Sequence, residues 1–263
     1  MSSKLIRYFE VHSFTDKVFH GNPAGVCPLE EWLDDSLMQR IATENNLSET
    51  AFFVPAGDHY DLRWFTPAIE VDLCGHATLA SAYALFNHLG HESDVIKFHT
   101  QSGELAVWKD GKNVVMDFPS RPGEPASAPD ALVSGLGRDL DEVYKARDYL
   151  VVLNTQEEIL GLKLEFSELE KLDCTGIIVT APGDEVDFVS RFFAPQAGIP
   201  EDPVTGSAHA TLTPYWAERL GKKHLYARQL SARGGELWCT QMDDRVHIAG
   251  GATLYIQGFL STD

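Results

Sequence analysis

The sequence predicts an α+β protein of two similar lobes, each a mostly antiparallel, curved sheet around one central helix. The first observation is an internal repeat, because three segments of the first half return in the same order in the second half. The matched segments are residues 63–67 with 191–195, residues 74–77 with 205–208, and residues 103–105 with 235–237. The second observation is that most predicted elements are short strands divided by turn residues, with few helices among them.

The strands of each half are predicted from local patterns. Residues 5–11 predict a strand, and residues 105–108 and 114–118 predict a hairpin around Asp110-Gly111. Asp-Gly favours such a hairpin because it tolerates the positive φ angles of a tight turn. A similar pair of strands is predicted in the second half at residues 236–241 and 245–249.

Three longer helices are predicted. Residues 32–45 carry apolar side chains at helical spacing. Residues 75–89 are rich in Ala and Leu and predict a largely buried helix, with residues 206–220 as its counterpart. Both members of this pair would begin at a glycine.

A division into two domains follows from the repeat. The Pro- and Ser-bearing stretch 119–129 lies where the repeat places a boundary and is the convincing linker of the chain. We therefore expect an N-terminal lobe of residues 1–118 and a C-terminal lobe of residues 119–263, with the last strands able to return to the first lobe. Two lobes of this kind predict a cleft between them.

Composition narrows the possible partners. The net charge of −18 and pI of about 4.8 oppose binding to nucleic acid and to anionic membranes. P-loop, GxGxxG and zinc-finger patterns are not found, so no motif suggests a nucleotide cofactor. The four cysteines are scattered, and residues 1–10 hold no apolar run of the kind that starts an export signal, so we expect a cytoplasmic protein.

Differences between the two copies indicate where chemistry occurs. Residues 47–54 align with residues 172–179, and in this alignment Glu49 is matched by Cys174. A carboxylate just before an apolar strand is a candidate general base. The alternative is that Glu49 only caps or solvates the entry to a strand, because charged residues commonly lie on the surface.

The two predicted helix starts also match each other. Residues 74–76 (CGH) correspond to residues 205–207 (TGS), and each would present free backbone N–H groups that suit a carboxylate. Ordinary helix capping by Thr205 and Ser207 is the alternative. His76 could likewise be a hydrogen-bonded histidine of the core.

Two further segments have a local explanation and a functional one. Asp202 precedes a proline and suits a turn, but in a cleft it could bind an amino or hydroxyl group of a ligand. Residues 21–25 (GNPAG) favour a turn on local grounds, and we interpret them as structural with a possible contact to the cleft.

Five ordered motifs resemble the phenazine-biosynthesis PhzF-like isomerase family, which has the diaminopimelate epimerase-like fold. The resemblance covers nearly the whole chain. The motifs are residues 19–26 (FHGNPAGV), 46–50 (NLSET), 63–67 (RWFTP), 74–78 (CGHAT) and 202–209 (DPVTGSAH).

This resemblance implies a two-lobed, often homodimeric enzyme that acts without metal or organic cofactor on a small carboxylate-bearing substrate. The family's reference reaction is the isomerisation of trans-2,3-dihydro-3-hydroxyanthranilate by proton transfer. Glu49 would be the catalytic acid/base. The substrate-binding residues would be Ser48, Gly75, His76, Asp202, Gly206 and Ser207.

Three functional hypotheses follow. The favoured one is a cofactor-independent isomerase in which Glu49 moves a proton. The second is an epimerase or racemase that uses Cys74; related epimerases have a cysteine at each helix start, but Thr205 stands at the second one, so another partner would be needed. The third is a non-catalytic protein that binds a small molecule.

Overall fold

A computed structural model describes residues 5–262 of the chain. These residues form two compact units: the first runs to Asp117 and resumes at Ala249, and the second is Phe118–Ile248. The sequence-based division assigned residues 119–263 to the second lobe but allowed the last strands to return to the first, and the strand Ala252–Ser261 packs in the first unit. The expectation about export depends in part on residues 1–4, which lie outside the described range.

The first unit contains nine strands and two helices among the described residues. Its strands are β1 Leu5–Ser13, β2 Asn22–Pro28, β3 Glu49–Ala56, β4 His59–Phe65, β5 Glu70–Val71, β6 Val95–Thr100, β7 Gly103–Asp110, β8 Asn113–Pro119 and β18 Ala252–Ser261. Its helices are α1 Asp35–Asn45 and α2 Gly75–His88.

Strand pairing in the first unit is mostly antiparallel. Going across the sheet, β18 pairs with β1, β1 with β2, β3 with β4, β6 with β7, and β7 with β8, all antiparallel. Two parallel steps, β2 with β3 and β4 with β6, complete this order. Helix α2 packs against β1, β2, β3 and β7, which explains why an Ala-rich helix is buried on nearly every side.

The second unit contains nine strands and four α-helices among the described residues. Its strands are β9 Glu124–Pro125, β10 Glu142–Lys145, β11 Tyr149–Val152, β12 Ile177–Pro182, β13 Phe188–Ala194, β14 Ile199–Asp202, β15 His224–Gln229, β16 Gly235–Met242 and β17 Arg245–Gly250. Its helices are α3 Asp130–Leu136, α4 Gln156–Leu160, α5 Phe166–Leu169 and α6 His209–Leu220.

The second unit repeats the pairing pattern of the first. Strands β11 and β12 are parallel, β12 and β13 antiparallel, β13 and β15 parallel, and β15 and β16 antiparallel. The same sequence of parallel and antiparallel steps runs from β2 to β7 in the first unit. The predicted α+β class with two similar lobes is therefore confirmed.

Helix α6 carries a proline in its interior, and the structure compensates for it. Pro214 has no N–H to donate to the carbonyl of Ala210, four residues earlier. That carbonyl instead accepts a hydrogen bond from the backbone N–H of Arg121 at 2.9 Å. The helix thus continues through the proline without leaving this carbonyl unbonded.

Three local predictions differ from the structure. Helix α1 begins at Asp35 rather than at residue 32, and Trp32 instead packs from outside the helix on the core beside it. The predicted linker 119–129 contains strand β9, which pairs with β10. Residues 206–208 form a 3-10 turn, so α6 starts at His209.

Within residues 5–262, the helices are too short or too polar to cross a membrane.

Candidate active site

The candidate site of the first unit lies at the N-terminus of α2. Cys74 precedes the helix with an extended backbone, and its carbonyl accepts two hydrogen bonds from Thr78, from the N–H at 3.3 Å and from the hydroxyl at 2.5 Å. The N–H groups of Gly75, His76 and Ala77 have no acceptor within the helix, because the first turn of a helix lies ahead of its own carbonyls. Such N–H groups suit a carboxylate or another anion.

His76 brings the sequence-predicted residues of this unit together. Its Nε2 lies 3.1 Å from Oε2 of Glu49, and its Nδ1 lies 3.5 Å from Sγ of Cys74. Nδ1 is also 3.2 Å from Nδ2 of Asn22. The side chain of His76 is 4% exposed and that of Glu49 13% exposed, so this pair is mostly removed from water while the carboxylate keeps some access.

Strand register places these groups. Glu49 is the first residue of β3 and lies opposite Ala24 of β2, two residues beyond Asn22. Ser13, at the end of β1, donates its hydroxyl to the carbonyl of His76 at 2.7 Å. The ends of three neighbouring strands therefore hold the start of α2. The predicted substrate-binding residue Ser48 precedes β3 and is partly buried.

The loop of residues 21–25, predicted to be structural with a possible contact to the cleft, has a direct contact with this site. Gly21 has φ of +65°, and a Cβ there would lie 2.1 Å from the carbonyl oxygen of Ser13, so glycine is needed. This tight turn delivers Asn22 to His76. Sequence reasoning did not assign Asn22 or Ser13 to the site. The GNPAG composition of residues 21–25 was the available signal for Asn22, whereas nothing in the sequence marked Ser13.

Electrostatics distinguish the three groups. Burial alone would lower the pKa of His76, but the negative charge that Cys74 carries when ionised and that of the Glu49 carboxylate raise it well above its usual range. Burial raises the pKa of Cys74 to about 11, with the negative charge of Glu49 acting in the same direction. Cys74 is therefore a neutral thiol near pH 7, and the Glu49 carboxylate is the charge that favours an imidazolium at His76. In an imidazolium, Nδ1 carries a hydrogen and needs a hydrogen-bond acceptor. The Asn22 side chain would supply one if its amide were flipped so that the oxygen faced Nδ1.

The same three side chains also have the spacing of a metal site. One ligand atom from each of Glu49, Cys74 and His76 lies within 4.8 Å of the others. A metal there would require Cys74 as a thiolate, since that is the form in which cysteine ligates metals. Binding of a cation would therefore release the proton that Cys74 holds in the metal-free protein, where burial raises its pKa to about 11.

In the second unit, Asp202 and Thr205 form a buried polar network. The hydroxyl of Thr205 donates to Oδ2 of Asp202 at 2.5 Å, and the N–H of Thr205 donates to Oε1 of Gln229 at 2.9 Å. Nε2 of Gln229 donates in turn to the carbonyl of Asp202 at 2.8 Å. Sequence reasoning did not identify Gln229, which lies far along the chain at the end of β15.

The helix start of the second unit differs in form from that of the first. Gly206 and Ser207 lie in the 3-10 turn ahead of α6, with Gly206 buried and Ser207 partly buried. His209 donates from Nδ1 to the carbonyl of Thr205 at 2.9 Å, just as Thr78 donates to Cys74. The substrate-binding roles of Asp202, Gly206 and Ser207 stay predictions.

The structure corrects the residue that was matched to Glu49. Thr50 lies opposite Phe65 in the first unit, and Ile177 lies opposite Phe193 in the second. Because Phe65 and Phe193 occupy the same place in the repeated motif, the counterpart of Glu49 is Gly176 rather than Cys174. A Cβ at Gly176 would lie 2.2 Å from the ring of Phe192, so this position has no room for a carboxylate side chain. The acidic group is thus particular to the first unit.

Structural likeness first defines the fold. The fold resembles that of a hydroxyproline epimerase from Agrobacterium vitis, with a TM-score of 0.66 at 11% identity over 98% of this chain and 93% of that one. This likeness concerns the fold, and it confirms the predicted diaminopimelate epimerase-like architecture.

Sequence comparison then defines the family. The family model described as phenazine biosynthesis-like protein, PhzC-PhzF, matches residues 11–258. A Pseudomonas aeruginosa protein named as an uncharacterized isomerase is 53% identical over 96% of this chain and 97% of its own length. A crystal structure of a PhzF-family phenazine biosynthesis protein from Enterococcus faecalis has a TM-score of 0.94 at 48% identity, covering 98% of this chain and 99% of that one. The chain belongs to the PhzF-like isomerase family.

Proposed function

We propose that this protein is an isomerase that moves a proton within a small carboxylate-bearing molecule, with Glu49 as the acid/base. The observation that carries the proposal is the contact of 3.1 Å between Glu49 and His76 at the N-terminus of α2. This contact places a side chain that can exchange a proton next to backbone N–H groups that can bind a carboxylate.

The proposed reaction conserves every atom of the substrate. Glu49 takes a proton from one carbon and returns it to another, so that a double bond shifts and no co-reactant is required. The positive charge favoured at His76 offsets the charge of the Glu49 carboxylate and fixes the orientation of that carboxylate. The N–H groups of Gly75 and His76 would bind the substrate carboxylate, and the molecule would react by a proton shift like that of trans-2,3-dihydro-3-hydroxyanthranilate.

Epimerisation through Cys74 is the second candidate reaction. The position of Cys74 favours this reaction. Cys74 stands at a helix N-terminus with Sγ 3.5 Å from His76, an arrangement that could assist loss of the thiol proton. Two observations oppose it: the pKa of about 11, and Thr205 at the matched position of the second unit. A hydroxyl is too weakly acidic to replace the second thiol.

Proton exchange with solvent tests the two candidates. Small carboxylic acids, with trans-2,3-dihydro-3-hydroxyanthranilate included, are incubated in D2O with the protein, and deuterium incorporation is followed by ¹H NMR. Glu49→Gln should slow incorporation by about 100-fold or more, the usual scale of general acid–base catalysis. Cys74→Ser should retain exchange within about tenfold.

The control is Glu44→Gln, which makes the same chemical change at an exposed position of α1. It should exchange at the wild-type rate. Equal exchange by Glu49→Gln and wild type would remove Glu49 from the mechanism, and loss of exchange in Cys74→Ser alone would favour the epimerase. Binding of these acids without exchange in the wild type would favour a non-catalytic protein.

A further inference from the structure

Four side chains capable of binding a metal form a row across three adjacent strands of the first unit. His59 and Asp61 lie two residues apart on β4 and therefore share a face of the sheet. Asp61 lies opposite His99 on β6, and His99 lies opposite Glu104 on β7. Opposed residues point to the same face, so the sheet register itself brings the four groups together. We define these four residues as the cross-strand cluster.

Two distances within the cross-strand cluster are close to those between the ligands of a tetrahedral cation. Nε2 of His59 is 3.4 Å from Oδ1 of Asp61, and Nε2 of His99 is 3.2 Å from Oε2 of Glu104. Ligands of zinc at about 2.0–2.1 Å in tetrahedral geometry are separated by about 3.4 Å. One ligand atom from each of His59, Asp61 and His99 already lies within 4.8 Å of the others.

A carboxylate outside the cluster orients one of its imidazoles. Oδ1 of Asp58 lies 3.2 Å from Nδ1 of His59, which leaves Nε2 of that ring to face Asp61. A carboxylate bonded to the second ring nitrogen is the usual support of a metal-binding histidine, since it fixes both tautomer and ring direction. The ring of His59 stacks on that of His99 at a centroid distance of 3.7 Å, so one ring must rotate out of this stack before both nitrogens can face one ion.

The chemistry of the donors identifies the type of ion. Two imidazole nitrogens with two carboxylate oxygens suit a borderline divalent cation such as Zn²⁺, whereas Mg²⁺ and Ca²⁺ prefer sets made of oxygen alone. Side-chain exposures of 43% for Asp61 and 47% for His99 leave the cluster open to solvent. The nearby positively charged side chain is that of Lys97. Its Nζ lies 3.9 Å from Oδ2 of Asp58, the carboxylate that orients His59.

We propose that the cross-strand cluster is a Zn²⁺ site that joins β4, β6 and β7. The parallel pairing of β4 with β6 spans two residue pairs, Tyr60 with Phe98 and Asp61 with His99. A bound ion would add a second connection at this short junction. The site is distinct from the group formed by Glu49, Cys74 and His76.

Calorimetric titration of the whole protein with ZnCl2 tests the proposal, together with ¹H–¹⁵N NMR of the histidine rings. Zn²⁺ should bind at one site, shift the ring signals of His59 and His99, and raise the melting temperature. His59→Gln and His99→Gln should each weaken binding at least tenfold. His224→Gln, which removes an exposed strand histidine of the second unit, should bind as the wild type does.

Cys74→Ser separates this site from the candidate active site and should also leave zinc binding unchanged. The proposal is overturned if the ring signals of His59 and His99 do not respond to Zn²⁺, or if Cys74→Ser abolishes binding while His59→Gln preserves it. Because the NMR readout uses the wild-type protein, it decides the matter even where a variant folds poorly.

Discussion

His76 and His209 lie at the starts of the two long helices, yet their surroundings move their pKa values in opposite directions. Negative charge on a neighbouring sulfur and on a neighbouring carboxylate raises the pKa of His76, as described above. Burial lowers the pKa of His209 to about 4, with only its bond to the Thr205 carbonyl acting the other way. At neutral pH His209 is therefore a neutral ring that serves the helix by donating one hydrogen bond.

This difference gives a prediction for stability against pH. An unfolded histidine takes up a proton near pH 6.5, whereas folded His209 does so only near pH 4. Its contribution to folding is thus present above about pH 6.5 and is lost as pH falls towards 4, up to roughly 3 kcal/mol. We expect urea unfolding between pH 7 and 4.5 to show a smaller loss of stability in His209→Gln than in wild type.

The matched control is His224→Gln, since His224 is exposed on β15. It should keep the wild-type dependence on pH. Parallel curves for His209→Gln and wild type would show that His209 takes up its proton over the same pH range in the folded and unfolded states, contrary to the effect of its burial.

At the scale of single residues, the sequence identified the candidate reactive groups better than the residues that contact them. Glu49, Cys74 and His76 were singled out, and they do meet in the structure. Asn22 and Ser13 were not assigned to the site, because their contacts with His76 depend on how β1 and β2 pair, which residue type alone does not reveal. The match of Glu49 with Cys174 was wrong because local similarity around a shared threonine outweighed the true strand register.

At the scale of elements, each unit joins two strands by the same ion pair. Arg63 on β4 donates twice to Glu70 on β5, at 2.7 Å for each bond. Arg191 on β13 donates twice to Glu201 on β14, at 2.7 and 2.8 Å. Both short strands lead into a helix start, so each pair fixes the segment from which its helix begins.

Replacing this arginine tests that interpretation. Arg63→Lys keeps the charge but cannot donate two parallel hydrogen bonds to Glu70. We expect it to lower the free energy of unfolding by about 1–2 kcal/mol and to increase hydrogen exchange at the start of α2. Arg40→Lys, an equal change at an exposed position of α1, should have little effect on either measurement.

Exchange at the start of α2 that is identical in Arg63→Lys and wild type would contradict a role for this ion pair in positioning the helix. A general loss of protection across the first unit would likewise assign Arg63 to stability alone.

Elements with a strong local signal were predicted well. The hairpin of β7 and β8 and the buried helix α2 follow from turn chemistry and from apolar composition. The start of α1 was placed three residues early, because Trp32 has the spacing of a helical residue but packs on the core from outside the helix. Strand β9 was missed since two residues cannot show a periodic pattern.

For the whole molecule, the repeat predicted the architecture because both copies kept their order of strands. Where the chain leaves one unit for the other depends instead on pairing between distant segments. Strand β18 pairs with β1 from Leu5 opposite Ser261 to Ser13 opposite Ala252. No local pattern reports that partnership, so the sequence could only allow for it. The homodimer implied by the resemblance stays a prediction.

Removing β18 tests how far the first unit depends on it. Truncation after Ile248 leaves β1 without this partner along nearly its whole length. We expect amide exchange measured by mass spectrometry to become much faster in β1, while β12 of the second unit keeps its protection and serves as the internal control. Unchanged exchange in β1 would show that β2 alone stabilises it.

The pairing of β1 with β18 also has a consequence for synthesis on the ribosome. The first unit holds segments from both sides of the second, so its sheet must wait for the last strand to be translated. The second unit, which is continuous in sequence, can close earlier. A nascent chain would therefore carry β1 with one edge uncovered for most of its elongation, and that edge is where premature pairing with another chain would begin.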